Sequence, residues 1–181
     1  MRIIGGQHRG LTLASVGKGD AAAHLRPTPD RVRESLFNVL MGHRLPHGAR
    51  VLDLFAGTGA LGIEALSRGA THATFVDNGR TALGLIRENI AKARRGDDAT
   101  VLACPVEKLP PTPAPCDLVF LDPPYGKSLG GTALMTAHSR GWLAPDALIV
   151  LEDNAPQLVQ GFRAIDQRRY GDTHITLLEA S

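Results

Sequence analysis

The chain is poor in aromatic residues, in cysteine and in long apolar runs, and each scarcity narrows the possibilities. Aromatics make up 4% of its 181 residues, so the few beside glycine or proline turns stand out. Only Cys104 and Cys116 are present. They have neither a metal-ligand spacing nor the density of a disulfide framework, and a reduced, cytoplasmic protein is expected. No stretch approaches the ~20 apolar residues of a membrane span. The opening Met1-Arg2-Ile3-Ile4-Gly5-Gly6 breaks at two glycines and lacks the apolar core of a signal peptide. The seven histidines form no ligand constellation. His43 and His47 have Pro46 between them, which spoils a helical metal pair, so no metal is expected. No internal repeat is visible.

What remains is an ordinary globular composition, 43% hydrophobic and 21% charged, in a length that fits one domain with a proper core. The net charge of +2 hides an asymmetry. Residues 1–50 hold eight Lys or Arg against three acids, a net +5, and the remainder holds twelve against fifteen, a net −3. A basic N-terminal part on a near-neutral body suggests contact with a polyanion.

The chain opens with two short apolar runs, Arg2-Ile3-Ile4 and Gly10-Leu11-Thr12-Leu13, around a glycine-rich turn, which reads as a hairpin. Residues 14–25 read as a loop. Thr28 is a candidate N-cap, with Pro29 and Asp30 suited to the first turn of a helix carrying Val32, Leu36, Val39 and Leu40 inward. Arg31 and Arg33 fall off that stripe and, with Arg26, should form an outward basic cluster. From residue 50 strands and helices alternate: strands at 51–55, 73–76, 100–103, 118–121 and 148–151, helices at 60–68, 80–94 and 132–139. Two more strands, at 162–165 and 173–178, close the tail. This pattern predicts an α/β fold with a mostly parallel sheet covered on both faces, whose ligands bind at the carboxyl ends of the strands.

Two motifs sit at such ends. The run Leu118-Val119-Phe120-Leu121 stops at Asp122-Pro123-Pro124-Tyr125, because neither proline can donate to a sheet. The tetrapeptide presents a carboxylate, a rigid carbonyl and an aromatic face. That set suits a flat ring bearing an exocyclic amine. Earlier, Gly57-Thr58-Gly59-Ala60-Leu61-Gly62 satisfies G-x-G-x-x-G, and Asp77 ends the following strand. The loop alone does not separate a nicotinamide dinucleotide from S-adenosylmethionine. Three features favour the second. Asp53 places a carboxylate where a methionine ammonium would sit and a pyrophosphate would not. The chain is short for a dehydrogenase. The Asp-Pro-Pro-Tyr tetrapeptide serves amine methylation and not hydride transfer.

Asp53 through Ala70, taken with Asp122 to Tyr125, resembles a class I, Rossmann-like methyltransferase of the amino-methylating kind. Adding Met1 to Gly6, Arg9-Gly10 and Arg26 through Asn38, the chain resembles the RsmD family, bacterial enzymes that methylate the exocyclic N2 of one guanine in small-subunit (16S) ribosomal RNA. The resemblance runs from residue 1 to about 150. It implies a single methyltransferase domain over 1–181, with an RNA-docking basic hairpin and loop at 1–28 and a catalytic body at 29–181, acting as a monomer. It implies that Asp53, Phe55, Ala56, Gly57, Thr58, Gly59, Asp77, Asn78 and Val106 hold S-adenosyl-L-methionine. Asp122, Pro123, Pro124 and Tyr125 would hold the base, and Arg9, Arg26, Arg31 and Arg33 the RNA, naked or in a ribosomal particle. Two departures stand out: Asp77 is more often Glu in relatives, and Cys104-Pro105-Val106-Glu107 lacks a polar residue that often meets the adenine. Lys127 and Ser128 either touch substrate phosphate or solvate a loop. The alternative activity is amino methylation of adenine N6 or cytosine N4 in DNA, which calls for a base-recognition domain that 181 residues leave no room for.

Overall fold

The computed structural model describes residues 1–17, 25 and 27–181. Arg26 and most of the loop expected over 14–25 lie outside the described residues. The regular elements are helix α1 (Asp30–Gly42), strand β1 (Arg50–Leu54), α2 (Ala60–Ser67), β2 (His72–Asp77), α3 (Arg80–Ala93), β3 (Ala99–Ala103), β4 (Cys116–Leu121), α4 (Leu129–Ser139), β5 (Leu143–Asp153), β6 (Phe162–Tyr170) and β7 (Thr173–Ala180). Among the described residues no helix is long and apolar enough to cross a membrane.

The seven strands form one sheet in the order β3-β2-β1-β4-β5-β7-β6. The first five pair in parallel, and β7 joins β5 and β6 antiparallel. The chain winds outward from β1 through β2 to β3, then returns to the other side of β1 and winds outward through β4 and β5. The strand order therefore reverses between β1 and β4, where the connections leave in opposite directions and open a crevice.

Alternation along the strands divides the core in two. Val51, Phe75, Phe120 and Val150 pack beneath α1, α2 and α3. Leu52, Leu54, Val119, Leu121, Ile149 and Leu151 pack against Ala133, Leu134 and Ala137 of α4. Period-2 alternation from these positions puts Asp53 on the α1–α3 face. Helix α2 is buried all round, and Gly62 explains its close approach. A Cβ there would meet the Phe75 ring at 2.3 Å, so only glycine lets the helix sit down on the sheet.

The expected N-terminal hairpin forms, held by a single bridge between Arg2 and Thr12 and by backbone bonds such as Ile3 N–H to the Leu11 carbonyl at 2.9 Å. Its apolar side chains Ile3 and Leu13 belong to the core, so the segment is part of the body. Trp142 packs as a buried residue, and its indole N–H donates to the Pro110 carbonyl at 2.7 Å, pinning the proline-rich connector.

Two expectations for α1 fail. Thr28 does not cap it, since no side-chain cap bond is made; its hydroxyl donates instead to Glu152 at 3.1 Å. Arg33 does not point outward. It is fully buried, because α1 buries Arg33 and Phe37 together with Val32, Leu36 and Leu40. Phe37 lies one helical turn beyond Arg33, and that spacing was the signal for a wider buried face. The Arg33 guanidinium donates to the carbonyls of Thr28 and Arg2 at 3.2 and 3.0 Å, pairs with Asp30 and lies 3.8 Å from Glu64.

Candidate active site

The carboxyl ends of β1, β2, β4 and β5 carry the acids of the crevice. Asp53 lies one residue before the end of β1 and is buried. One of its oxygens accepts from the Gly62 N–H at 3.0 Å, one of the free donors in the first turn of α2. Burial pushes its pKa up to about 8, against the pull of that bond and with a small push from Asp77. The residue is thus a desolvated carboxyl with one donor and no cation among the described residues. Its environment suits a cationic ligand group that would restore the charge.

Asp77, at the end of β2, ties the glycine loop. It accepts from Gly57 N–H on one oxygen and from Gly79 N–H on the other, both at 2.9 Å. A carboxylate has about four acceptor positions, so Asp77 keeps room for two hydroxyl donors. Gly57 and Gly59 have positive φ, +61° and +80°, and Phe55 shares that region at 57°. Holding Phe55 there costs about 1–3 kcal/mol and turns the chain sharply out of β1. Ala56 and Thr58 complete the turn; the Thr58 carbonyl accepts from Asn89 at 2.8 Å. Phe55 and Val106 line one small apolar cleft with Leu129 and Ala133. Asn78 is exposed just past Asp77.

Across the switch point, Leu54 is paired with Leu121 and Leu121 with Leu151. The next residues on the two outer strands are Asp122 and Glu152, so they are neighbours. Burial, reinforced by the charges of Glu152, Asp53 and Asp153, holds the Asp122 carboxyl well above the usual range. Glu152 is also raised by burial, an effect opposed by bonds from the Thr28 and Tyr125 hydroxyls. The Tyr125 hydroxyl lies 3.5 Å from Glu152 and 3.4 Å from Thr173, while Pro123 is buried and Pro124 exposed. Sequence reasoning missed Glu152. Its signal was the Glu152-Asp153 pair closing an apolar strand, at the sheet end where ligands bind.

The residues expected to bind RNA do not form one patch. Arg31 is exposed in the first turn of α1, three residues after Thr28. Arg9 is exposed too, but its neighbour His8 is bonded to Ser67 at the far end of α2, about 12 Å along that helix from the glycine loop. Arg33 is buried, and Arg26 lies outside the described residues. Lys127 and Ser128 are exposed beside the tetrapeptide. Sequence reasoning also missed Arg168, Arg169 and His174, which line an open groove of about 240 Å³ along β6 and β7.

Among known proteins, a family model described as "Conserved hypothetical protein 95" matches residues 1–179. Ribosomal RNA small subunit methyltransferase D of Escherichia coli K12 is 40% identical over 152 residues, spanning 84% of this chain and 74% of that protein. The chain belongs to the RsmD family of methyltransferases. YlbH of Bacillus subtilis is 34% identical and spans 98% of this chain and 97% of its own length. The solved structure of Escherichia coli yhhF superposes with a TM-score of 0.85 at 36% identity, covering 99% of this chain and 97% of that one. The RsmD assignment accounts for the Rossmann-like sheet.

Proposed function

We infer that this RsmD-family protein transfers a methyl group from S-adenosylmethionine to the exocyclic N2 amine of a guanine in small-subunit ribosomal RNA. The observation that carries the reading is the set of acids at the ends of β1, β4 and β5, buried or half-buried and without cationic partners among the described residues, in a family whose relatives are named small-subunit rRNA methyltransferases. The donor set fits the cofactor. Asp53 would take its ammonium, Asp77 its ribose hydroxyls, and Phe55 and Val106 the faces of its adenine, with Ala56, Gly57, Thr58, Gly59 and Asn78 shaping the loop around it. When bound, S-adenosylmethionine supplies an electrophilic methyl group and a positive charge.

The amine of guanine is a poor nucleophile because its lone pair is delocalised into the ring. Accepting both of its N–H groups, on the Asp122 carboxylate and the Pro123 carbonyl, draws the nitrogen toward tetrahedral geometry and frees that lone pair. Asp122 must be ionised to do this, and a cation in the crevice offsets the burial and neighbouring acids that otherwise keep it protonated. Pro124 fixes the turn that aims the carbonyl, and Tyr125 stacks on the extruded base. Positioning of this kind can contribute several kcal/mol, and the methylated ammonium is acidic enough to lose its proton without a dedicated base. Arg31 and Arg9 supply phosphate contacts on separate faces of the body. We further take residues 1–181 as one monomeric, cytoplasmic domain whose N-terminal hairpin is built into it.

The test is methyl transfer from labelled S-adenosylmethionine to ribosomal RNA, small-subunit particles and duplex DNA in parallel, with the product nucleoside identified by mass spectrometry. N2-methylguanosine in small-subunit RNA or particles is the expected result. N6-methyladenine or N4-methylcytosine in DNA would overturn it.

A further inference from the structure

Glu152 has no place in the mechanism above, yet few residues of the molecule are held in so demanding a way. Its side chain is 7% exposed and lies on the strand beside Asp122. Its partners among the described residues are two hydroxyls and no cation: Thr28 at 3.1 Å on one oxygen and Tyr125 at 3.5 Å on the other. The second contact is at the limit of a hydrogen bond, so that oxygen retains acceptor capacity. A buried carboxylate held this way costs stability unless a ligand satisfies it. Tyr125 belongs to the tetrapeptide that holds the base, so this oxygen borders the same space.

Two adjacent carboxylates present an unbroken row of acceptors. The reading of guanine as substrate, on which this inference rests, supplies the matching row of donors. Guanine carries N1–H directly beside its N2 amine, whereas adenine and cytosine carry a bare ring nitrogen beside theirs. A bare nitrogen facing a second carboxylate sets lone pair against lone pair. We propose that Glu152 is a specificity-determining residue that accepts the guanine N1–H while Asp122 holds the N2 amine, so that the pair selects guanine over the other amino bases. Thr28, at the entrance to α1, keeps the Glu152 carboxylate turned toward the base.

The test uses two RNA substrates and two enzymes. The methylated guanine is first mapped by mass spectrometry on small-subunit RNA, assembled into particles if that is the form modified. It is then replaced by 2-aminopurine, which keeps the N2 amine but has a bare N1. The wild-type enzyme should prefer guanine in kcat/KM by roughly 10- to 100-fold, the range for a hydrogen bond to a charged group. In Glu152→Gln the amide can turn its NH2 toward a bare N1, so the guanine to 2-aminopurine ratio should fall by about tenfold or more, with cofactor affinity unchanged. An equal loss on both substrates, leaving the ratio as in wild type, would make Glu152 a structural residue and overturn the proposal. Should the variant not fold, the wild-type ratio decides, and a value near one overturns the proposal. A wild-type enzyme that forms no N2-methylguanosine at all would instead remove the guanine reading itself.

Discussion

Two regions of this protein bury carboxylates in opposite ways. Glu64, inside α2, is fully buried but surrounded by donors. It accepts from Ile4 and Gly5 N–H at 2.9 and 3.0 Å, pairs with Arg68 at 3.0 Å and faces Arg33 at 3.8 Å. Arg68 in turn lies over the Phe37 ring at 4.9 Å. Asp53 and Glu152 are buried and Asp122 half-buried, with a backbone N–H or hydroxyls at most as partners among the described residues, and each is pushed toward its neutral form. The first arrangement is complete and locks the N-terminal hairpin to the body. The second is incomplete among the described residues and suits donors and positive charge brought by a ligand. A buried acid with every partner present speaks for structure, and one without a cation at a strand end speaks for function.

The comparison can be broken most forcefully at Glu64. Glu64→Ala leaves the Arg33 guanidinium buried with one carboxylate fewer, and a loss of about 3–5 kcal/mol is expected, read as a lower midpoint in urea unfolding. Methyl transfer per folded molecule should stay within a few-fold of wild type. A stable variant with impaired transfer would put Glu64 in the wrong class.

The pH dependence of cofactor binding sharpens the other half. Asp53 has a raised pKa, near 8, so the free protein holds it protonated below that pH, and a cationic ligand selects the ionised form. The carboxyl therefore makes the unliganded fold less stable as pH rises from about 4 toward 8, and it makes cofactor affinity rise over the upper part of the same range. Titration calorimetry from pH 6 to 7.5 should show affinity increasing by up to about tenfold per pH unit with proton release. Asp53→Asn should flatten that slope and bind weakly. A flat wild-type profile would mean that Asp53 does not meet the cation.

The smallest effect belongs to the surface. Arg31→Ala should weaken RNA binding a few-fold and lower the salt slope by about one. Arg33→Met should leave that slope unchanged and lower the unfolding midpoint. A reversed result would return Arg33 to the RNA-facing set.

These contrasts also show what could be read from the letters. The alternation of strands and helices was legible because buried parallel strands are short apolar runs bounded by glycine and proline turns. The crevice was legible because Gly57 to Gly62 and Asp122 to Tyr125 are local motifs whose backbone restrictions act within a few residues. Arg33 and Glu152 were not, since their meaning lies in partners far along the chain: Arg33 with Glu64, Glu152 with Thr28. The hairpin shows the same limit. Gly6 looks like a flexible turn, yet a Cβ there would meet the Ser67 carbonyl oxygen at 2.0 Å, so this glycine serves tight packing against α2. The charge of the hairpin was legible in the letters, while its clasp on Glu64 and Ser67 of α2 was not.

The most direct test of the central claim is single-turnover methyl transfer to small-subunit ribosomal RNA by Asp122→Asn, with its cofactor affinity and unfolding midpoint measured on the same sample. The account predicts that N2-methylguanosine formation falls by about 100- to 1000-fold or more, with cofactor affinity within about threefold and no loss of stability, since the substitution removes a carboxyl that burial and neighbouring acids already disfavour. Transfer near the wild-type rate, or a variant that loses stability and activity together, would show that Asp122 is held for the fold and not for the base.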